Sequence, residues 1–280
     1  MIEDTKKNIE NREIGIDIYL VKHCNLRCRA CSRYSNISKP AYYDIDDLKN
    51  DLLKIKECSE KENVKISRFT FTGGEPLLYP KTWLIDIIEY TRKLFPYIGL
   101  SIFTNCKALL EKDNFNLFDI FKANNCSITY TNYVKANINY NLIREITKAK
   151  GIYLINLSEL DNNTSTQENK DSMYLIRLSK NIKGNLEDKK KLCECDCPSL
   201  WQSKIYPCGT CAFIDTLNCA YKTKFERCSE DYIDIKDFTC EKYFNFISKS
   251  VPFCKYCMNV PTIKIPWSQN KSTIGDYVSE

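Results

Sequence analysis

Histidine is almost missing from this chain: there is one in 280 residues. Sites built on several imidazoles are therefore excluded, and a bound metal would have to be held by other donors. Charge of one sign is lacking too. The 41 Lys and Arg against 36 Asp and Glu leave a formal net charge of +5, spread along the sequence. That balance argues for neither nucleic acid nor a membrane surface as partner, while an acidic substrate stays compatible with it. No apolar run approaches the length of a membrane span. The opening MIEDTKKNIENRE is charged and has no apolar core, so it does not read as a signal peptide. There is no internal repeat, and no low-complexity tract beyond the lysine-rich link NIKGNLEDKKK.

What the chain does have is cysteine, sixteen in all. Thiols in that number mean either disulfides in an exported protein or thiolates on metal in a reducing compartment. Without a visible export signal the expectation is a cytoplasmic protein with metal thiolates. With so little imidazole, the candidates are iron–sulfur and zinc.

Segments rich in β-branched and aromatic residues at 15–22, 66–72, 98–104, 127–133 and 152–158 read as strands, with a sixth at 172–179. Helical patterns fill the gaps at 45–62, 81–95, 110–123 and 140–150, the first opening on acids that suit the helix dipole. Repeated β-then-α units imply a parallel sheet with right-handed crossovers. Six units are too few for a closed eight-stranded barrel, so the expected fold is α/β, a partial (β/α)6 TIM-like barrel. The pattern breaks after residue 180, and ten of the sixteen cysteines fall between 193 and 257. The expected division is a barrel at 1–184 and a small cysteine-rich domain at 185–280.

The segment HCNLRCRACSRYSN follows the first strand and carries Cys24, Cys28 and Cys31. Three thiolates on one loop can hold three irons of a cubane and leave the fourth for an exogenous ligand, unlike a closed four-cysteine site. The loop leaves the C-terminal end of a barrel strand, where such folds place their chemistry. Zinc remains open at this point; it would need a fourth ligand, and His23 is poorly placed beside Cys24. The second strand ends in FTFTGGEPLLYP, with Gly73, Gly74, Glu75 and Pro76 at its end. Adjacent glycines let a backbone approach a ligand closely, and a carboxylate there can bind an ammonium group. A plain strand-to-helix turn would need only the glycines and the proline.

The CxxxCxxC loop followed one unit later by a GGEP turn resembles the radical S-adenosylmethionine (SAM) superfamily, over residues 15 to about 180. The resemblance implies that Cys24, Cys28 and Cys31 ligate a [4Fe–4S] cluster whose open iron chelates the methionine end of SAM. It implies that Glu75 and the Gly73–Gly74 backbone, with Pro76 completing the turn, fix the amino group. Thr104 and Asn105 match a pair often seen near that cofactor, and Thr131 would reach its ribose or carboxylate. The aromatic residue common before the third cysteine is replaced by Ala30, leaving Tyr34 as a substitute contact for adenine. Cys106 stands where glycine is commoner, as a packed side chain or as a hydrogen-atom donor to a substrate radical.

The tail resembles the twitch or SPASM extension of such enzymes. Cys197, IYPC ending in Cys208, a helix at 241–250, and Cys254 with Cys257 imply one auxiliary [4Fe–4S] cluster, with Cys195 or Cys211 as alternative ligands. Ser203 replaces the glycine usual in that hairpin. A zinc ribbon on the same cysteines is the competing reading. The expected function is that of an oxygen-sensitive oxidoreductase or epimerase acting at a C–H bond of a sugar-like or cyclitol-like polar small molecule. A flavodoxin- or ferredoxin-type protein would supply its electrons. The alternatives are a maturase that modifies a peptide, and a non-catalytic iron–sulfur electron carrier or zinc protein.

Overall fold

Strand β1 (Glu13–Val21) is buried along almost its whole length, as a strand covered on both faces of a parallel sheet must be. It pairs in parallel with β2 (Lys65–Gly73) on one side and with the short β7 (Ser199–Trp201) on the other. Beyond β2 the sheet continues in parallel through β3 (Gly99–Thr104), β4 (Cys126–Tyr130) and β5 (Leu154–Asn156). Beyond β7 it turns antiparallel through β8 (Lys204–Tyr206) and β9 (Ile233–Asp234). The result is a mixed α/β architecture around an eight-stranded, mostly parallel sheet of order β5-β4-β3-β2-β1-β7-β8-β9. The computed structural model describes residues 12–157, 172–181, 186, 189, 193, 198–258 and 263–279.

Helices α1 (Ile45–Lys61), α2 (Lys81–Leu94), α3 (Leu117–Ala123) and α4 (Tyr140–Lys150) connect the parallel strands. Helix α1 shows why they form. Asp44 accepts hydrogen bonds from the Asp46 and Asp47 N–H groups, a cap worth about 1 kcal/mol, and Leu48, Leu52 and Ile55 recur at helical spacing on its buried face. The helix expected over 110–123 begins only at Leu117, because 107–110 and 112–114 wind into short 3-10 turns. Among the described residues, no helix is long and apolar enough to cross a membrane.

One expectation changes. The sixth segment does form a strand, β6 (Ser172–Leu175), but it pairs antiparallel with β10 (Ile263–Pro266) in a separate two-stranded sheet. A (β/α)6 succession is therefore not what the described residues show; β7 takes the sixth parallel place, beside β1 rather than beyond β5. Strand propensity marks a segment as extended and says nothing of its partner.

The sheet and the buried cluster both have members on either side of residues 184/185. Leu200, Ile205, Phe213 and Phe238 share one buried cluster with Ile16, Ile18, Phe69 and Ile102. Each such side chain contributes about 1.5–3 kcal/mol on burial. Phe213 links helices α5 (Gly209–Ala212) and α6 (Ile214–Tyr221) and meets Tyr19 of β1 edge-on, with centroids 4.8 Å apart. Among the described residues the last α-helix, α7 (Cys240–Ile247), overlaps the stretch read as helical, starting one residue before it and stopping three residues short of its end.

Candidate metal centre

The C-terminal ends of β1 and β2 are fastened to each other before any side chain is considered. The Gly74 N–H donates to the Val21 carbonyl (2.9 Å) and the Glu75 N–H to the His23 carbonyl (3.0 Å). A Cβ on Gly73, whose φ is +150°, would lie 2.4 Å from the Val21 oxygen, and one on Gly74 would lie 2.0 Å from the His23 oxygen. Only glycine fits either position. The close approach that the glycine pair permits is thus of one backbone to another, and it fixes how the cysteine loop leaves the sheet.

Glu75 does not line the cavity above this junction, nor does Pro76. Its carboxylate is fully buried and accepts from Thr104 Oγ1 (2.6 Å), the Asn105 N–H (2.8 Å) and the Leu77 N–H (3.1 Å). Burial pushes its pKa up to about 7, against the three donors, which favour the ionised form. In this structure Glu75 ties the end of β2 to the end of β3. Pro76 begins the short 3-10 turn that follows.

Cys24, Cys28 and Cys31 come together at one cavity with Gly73, Gly74, Thr104, Asn105 and Thr131. Among the described residues, no fourth Cys or His lines it. The Asn105 side-chain amide donates to Asn25 Oδ1 (2.8 Å) and reaches Cys24 Sγ at 3.6 Å, while the Leu26 N–H points at the same sulfur from 3.5 Å. Tyr34, the expected aromatic contact, is buried away from the cavity and packs edge-on against Tyr277. The aromatic rings that do line it are Phe103 and Tyr133, which sequence reasoning missed. Alternation along β3 could have found Phe103, since it shares a face with Ser101, opposite the buried Leu100 and Ile102.

The thiols of Cys24 and Cys28 are each pushed up to about 12. Burial is the main cause. Neighbouring negative charge from Glu75 and Cys31 adds to it for Cys24, and the Trp267 N–H opposes it for Cys28. Bare, these sulfurs keep their protons at neutral pH, so a metal must displace protons to bind. Three soft donors on one loop fit a cubane with one vertex unligated by protein. Among the described residues, no three Cys, His, Asp or Glu side chains converge closely enough to hold a single metal ion.

A late segment of the chain covers this loop. The Trp267 Nε1–H donates to Cys28 Sγ at 3.0 Å, and the indole stacks on Tyr133 with centroids 5.3 Å apart. Gln269 Nε2 donates to the Leu26 carbonyl (2.6 Å), and the Arg29 N–H to the Ser268 carbonyl (2.8 Å). The Ala30 N–H donates to Ser272 Oγ (3.0 Å), and the Arg29 guanidinium grips both oxygens of Asp276. Burial raises the Asp276 carboxyl, but the Arg29 and Thr273 hydrogen bonds outweigh it and the net shift is downward. Ala30 itself is buried beneath this cover, which leaves no room for an aromatic side chain there.

The tail cysteines gather at the far end of β8. Cys208 follows that strand, and Cys254 and Cys257 lie in and after the turn beyond α7. Burial pushes the Cys208 thiol up to about 12. The Cys211 N–H opposes this, and the nearby Cys257, Cys254 and Cys193 add to it by charge repulsion. Cys211 is fully buried behind the group. The expected ligand Cys197 and its alternative Cys195 lie outside the described residues; Cys193, not chosen from the sequence, stands near Cys208. Ser203 has φ +57°, and with Gln202 at +46° makes the two-residue turn between β7 and β8. That is why glycine suits this position.

Cys106 has φ +65°, is fully buried and does not line the cavity. Its N–H donates to Thr104 Oγ1 at 2.9 Å.

Residues 15–150 match the family model of a 4Fe-4S single cluster domain. The match takes in the cysteine loop, the Gly73–Pro76 turn and the Thr104–Asn105 pair, and it supports an iron–sulfur, metal-binding protein with a 4Fe–4S cluster. No curated protein matches the chain.

Proposed function

We propose that the chain is a radical SAM enzyme in which Cys24, Cys28 and Cys31 hold a [4Fe–4S] cluster with one iron open to the cofactor. One observation carries this reading: Cys24, Cys28 and Cys31, among the described residues without a fourth Cys or His, line the same cavity as Gly73, Gly74, Thr104, Asn105 and Thr131 at the ends of parallel strands. Bound there, the cluster and SAM would supply radical chemistry: one-electron cleavage of the sulfonium and abstraction of a hydrogen atom from substrate. The chain's own part is to position and to exclude water. The Gly73–Gly74 junction sets the loop, and Glu75 holds Thr104 and Asn105 in place. The Asn105 amide steadies Cys24, and Phe103 and Tyr133 offer the aromatic surface that Ala30 cannot.

The substrate we propose is a polar, sugar-like or cyclitol-like small molecule, since Arg33 and Asn36 also line the cavity. Cys208, Cys254 and Cys257, with Cys197 or Cys193, would hold an auxiliary [4Fe–4S] cluster able to accept the second electron of an oxidation. The burial of Cys106 favours oxidation over an epimerisation quenched by that thiol. A flavodoxin- or ferredoxin-type donor would deliver the first electron.

Anaerobic reconstitution, iron counting and incubation with dithionite and SAM test the reading, with 5′-deoxyadenosine as the expected product. A loaded protein that yields none of it is an electron carrier, and a protein that takes up zinc in place of iron is a zinc protein; either result removes the enzyme. Deuterium transfer into 5′-deoxyadenosine from labelled sugars, but not from labelled peptides, separates the small-molecule reading from the peptide one.

A further inference from the structure

A buried tryptophan has one polar group, an N–H that only donates, and it needs an acceptor. Trp267 is 4% exposed, and its N–H is spent on the sulfur of Cys28, 3.0 Å away. A thiol is a poor acceptor, whereas a thiolate makes a charge-assisted bond. The indole is also held firmly for this purpose. Tyr133 stacks on it, and the adjoining residues are tied to the cysteine loop through Gln269 to Leu26 and through Arg29 to Ser268 and Asp276. Leu26, Cys28 and Trp267 form a small apolar cluster apart from the main core.

We propose that Trp267 is a positioning residue for the iron–sulfur centre: its N–H bond to the Cys28 sulfur raises the reduction potential of the cluster held by Cys24, Cys28 and Cys31. The inference rests on those three cysteines holding a cluster. One-electron reduction adds negative charge to the cluster and its sulfur ligands, so a donor aimed at a ligand sulfur stabilises the reduced form more than the oxidised one. The electron comes from an external low-potential donor, dithionite in the test.

The experiment compares wild type with Trp267→Phe and Trp267→Ala after anaerobic reconstitution. Redox titrations are followed by electron paramagnetic resonance, reading the signal that disappears in Cys24→Ala. Trp267→Phe keeps a ring against Tyr133 and loses the donor. At a fixed solution potential its reduced-to-oxidised ratio falls about tenfold, equivalent to about 59 mV more negative. One exchangeable-proton coupling present in wild type, and removed there by D2O, is missing from it. Trp267→Ala admits water to the cluster, and solvent exposure shifts the potential the other way, offsetting part of the loss.

A Trp267→Phe potential equal to or above that of wild type, with the cluster loaded, overturns the proposal and leaves the indole as a cover. If the Phe variant does not hold a cluster, the same two readouts are taken with a benzothienylalanine placed at 267, which keeps the bicycle and replaces N–H by sulfur. The same result there decides the matter. A wild type with no signal lost in Cys24→Ala removes the underlying cluster reading, which is distinct from a loaded cluster whose potential ignores Trp267.

Discussion

Cys24, Cys28 and Cys31 reach their cavity from one short loop that the sheet itself anchors, whereas Cys208, Cys254 and Cys257 are gathered from either side of α6 and α7. The first group depends on the junction of two central strands, where Gly73 and Gly74 meet the carbonyls of Val21 and His23. The second depends on how the short strands, helices and turns after β7 close on one another. A site placed by backbone pairing is local and rigid; one assembled from distant segments exists only once the tertiary structure is complete. The two should respond differently to the same kind of perturbation.

The largest contrast is expected from removing ligands. Cys24→Ala should abolish 5′-deoxyadenosine formation and lower bound iron by about four per chain, the content of one cubane. Cys254→Ala should remove a similar amount of iron while cofactor cleavage persists. A Cys254→Ala protein that cleaves nothing would break the separation of the two sites. The same count on Cys193→Ala and Cys197→Ala identifies the remaining ligand of the second group, since only one of them should lose iron.

Glycine substitution sharpens the comparison next. In Gly74→Ala the new methyl meets the backbone at the His23 carbonyl, 2.0 Å away, which the paired strands cannot move aside. We expect a loss of about 3 kcal/mol or more in urea unfolding. In Gly209→Ala the methyl meets the Tyr19 hydroxyl at 2.3 Å, the end of a side chain, and a smaller loss of about 1–2 kcal/mol should follow. Equal losses would show that the two regions are equally rigid.

A pH effect of similar size belongs to the strand junction. Burial holds the Glu75 carboxyl protonated up to about pH 7, against an ordinary value of 4.5. The folded state therefore binds a proton that the unfolded chain has already released. This contribution to stability is complete below about pH 4.5 and is lost as the pH rises to about 7, by roughly 3 kcal/mol. Denaturant titrations of the metal-depleted protein at pH 5 and pH 8 measure it, and Glu75→Gln should flatten the difference. The smallest effect is expected at Cys106. Cys106→Ala should change stability by about 1 kcal/mol and leave 5′-deoxyadenosine formation intact, whereas a loss of turnover on substrate alone would restore its role as hydrogen donor.

Much of what depends on neighbouring residues was legible beforehand, although the 3-10 turns ahead of α3 were not. The cysteine spacing, the ends of α1 and α2, and the demand for glycine at 73 and 74 are all local, and all appear where the pattern puts them. The reason for the glycines was not legible, because it lies in the facing strand. The partner of the 172–175 strand was hidden as well, since alternation fixes a strand's faces and not its neighbour. Phe103 and Tyr133 stood in plain sight without any spacing that ties them to the cysteine loop. Trp267 had no signal at all. It meets Cys28 across 239 positions of sequence, and a lone tryptophan beyond the last cysteine pair offers no period and no motif.

That separation gives the cover over the cysteine loop a consequence for biosynthesis. A ribosome delivers β1, the loop and β2 early, and these can pair as soon as the Gly73–Gly74 junction has emerged. The indole, Gln269 and Asp276 are translated only much later. Until they are, the Cys28 sulfur lacks its indole donor and the loop lacks its bonds with Gln269 and Ser272. Pairing of Arg29 with Asp276 then adds the ion pair that holds the cover in place. The order of translation thus puts the loop before its cover, which makes the cover the later-forming part of the site.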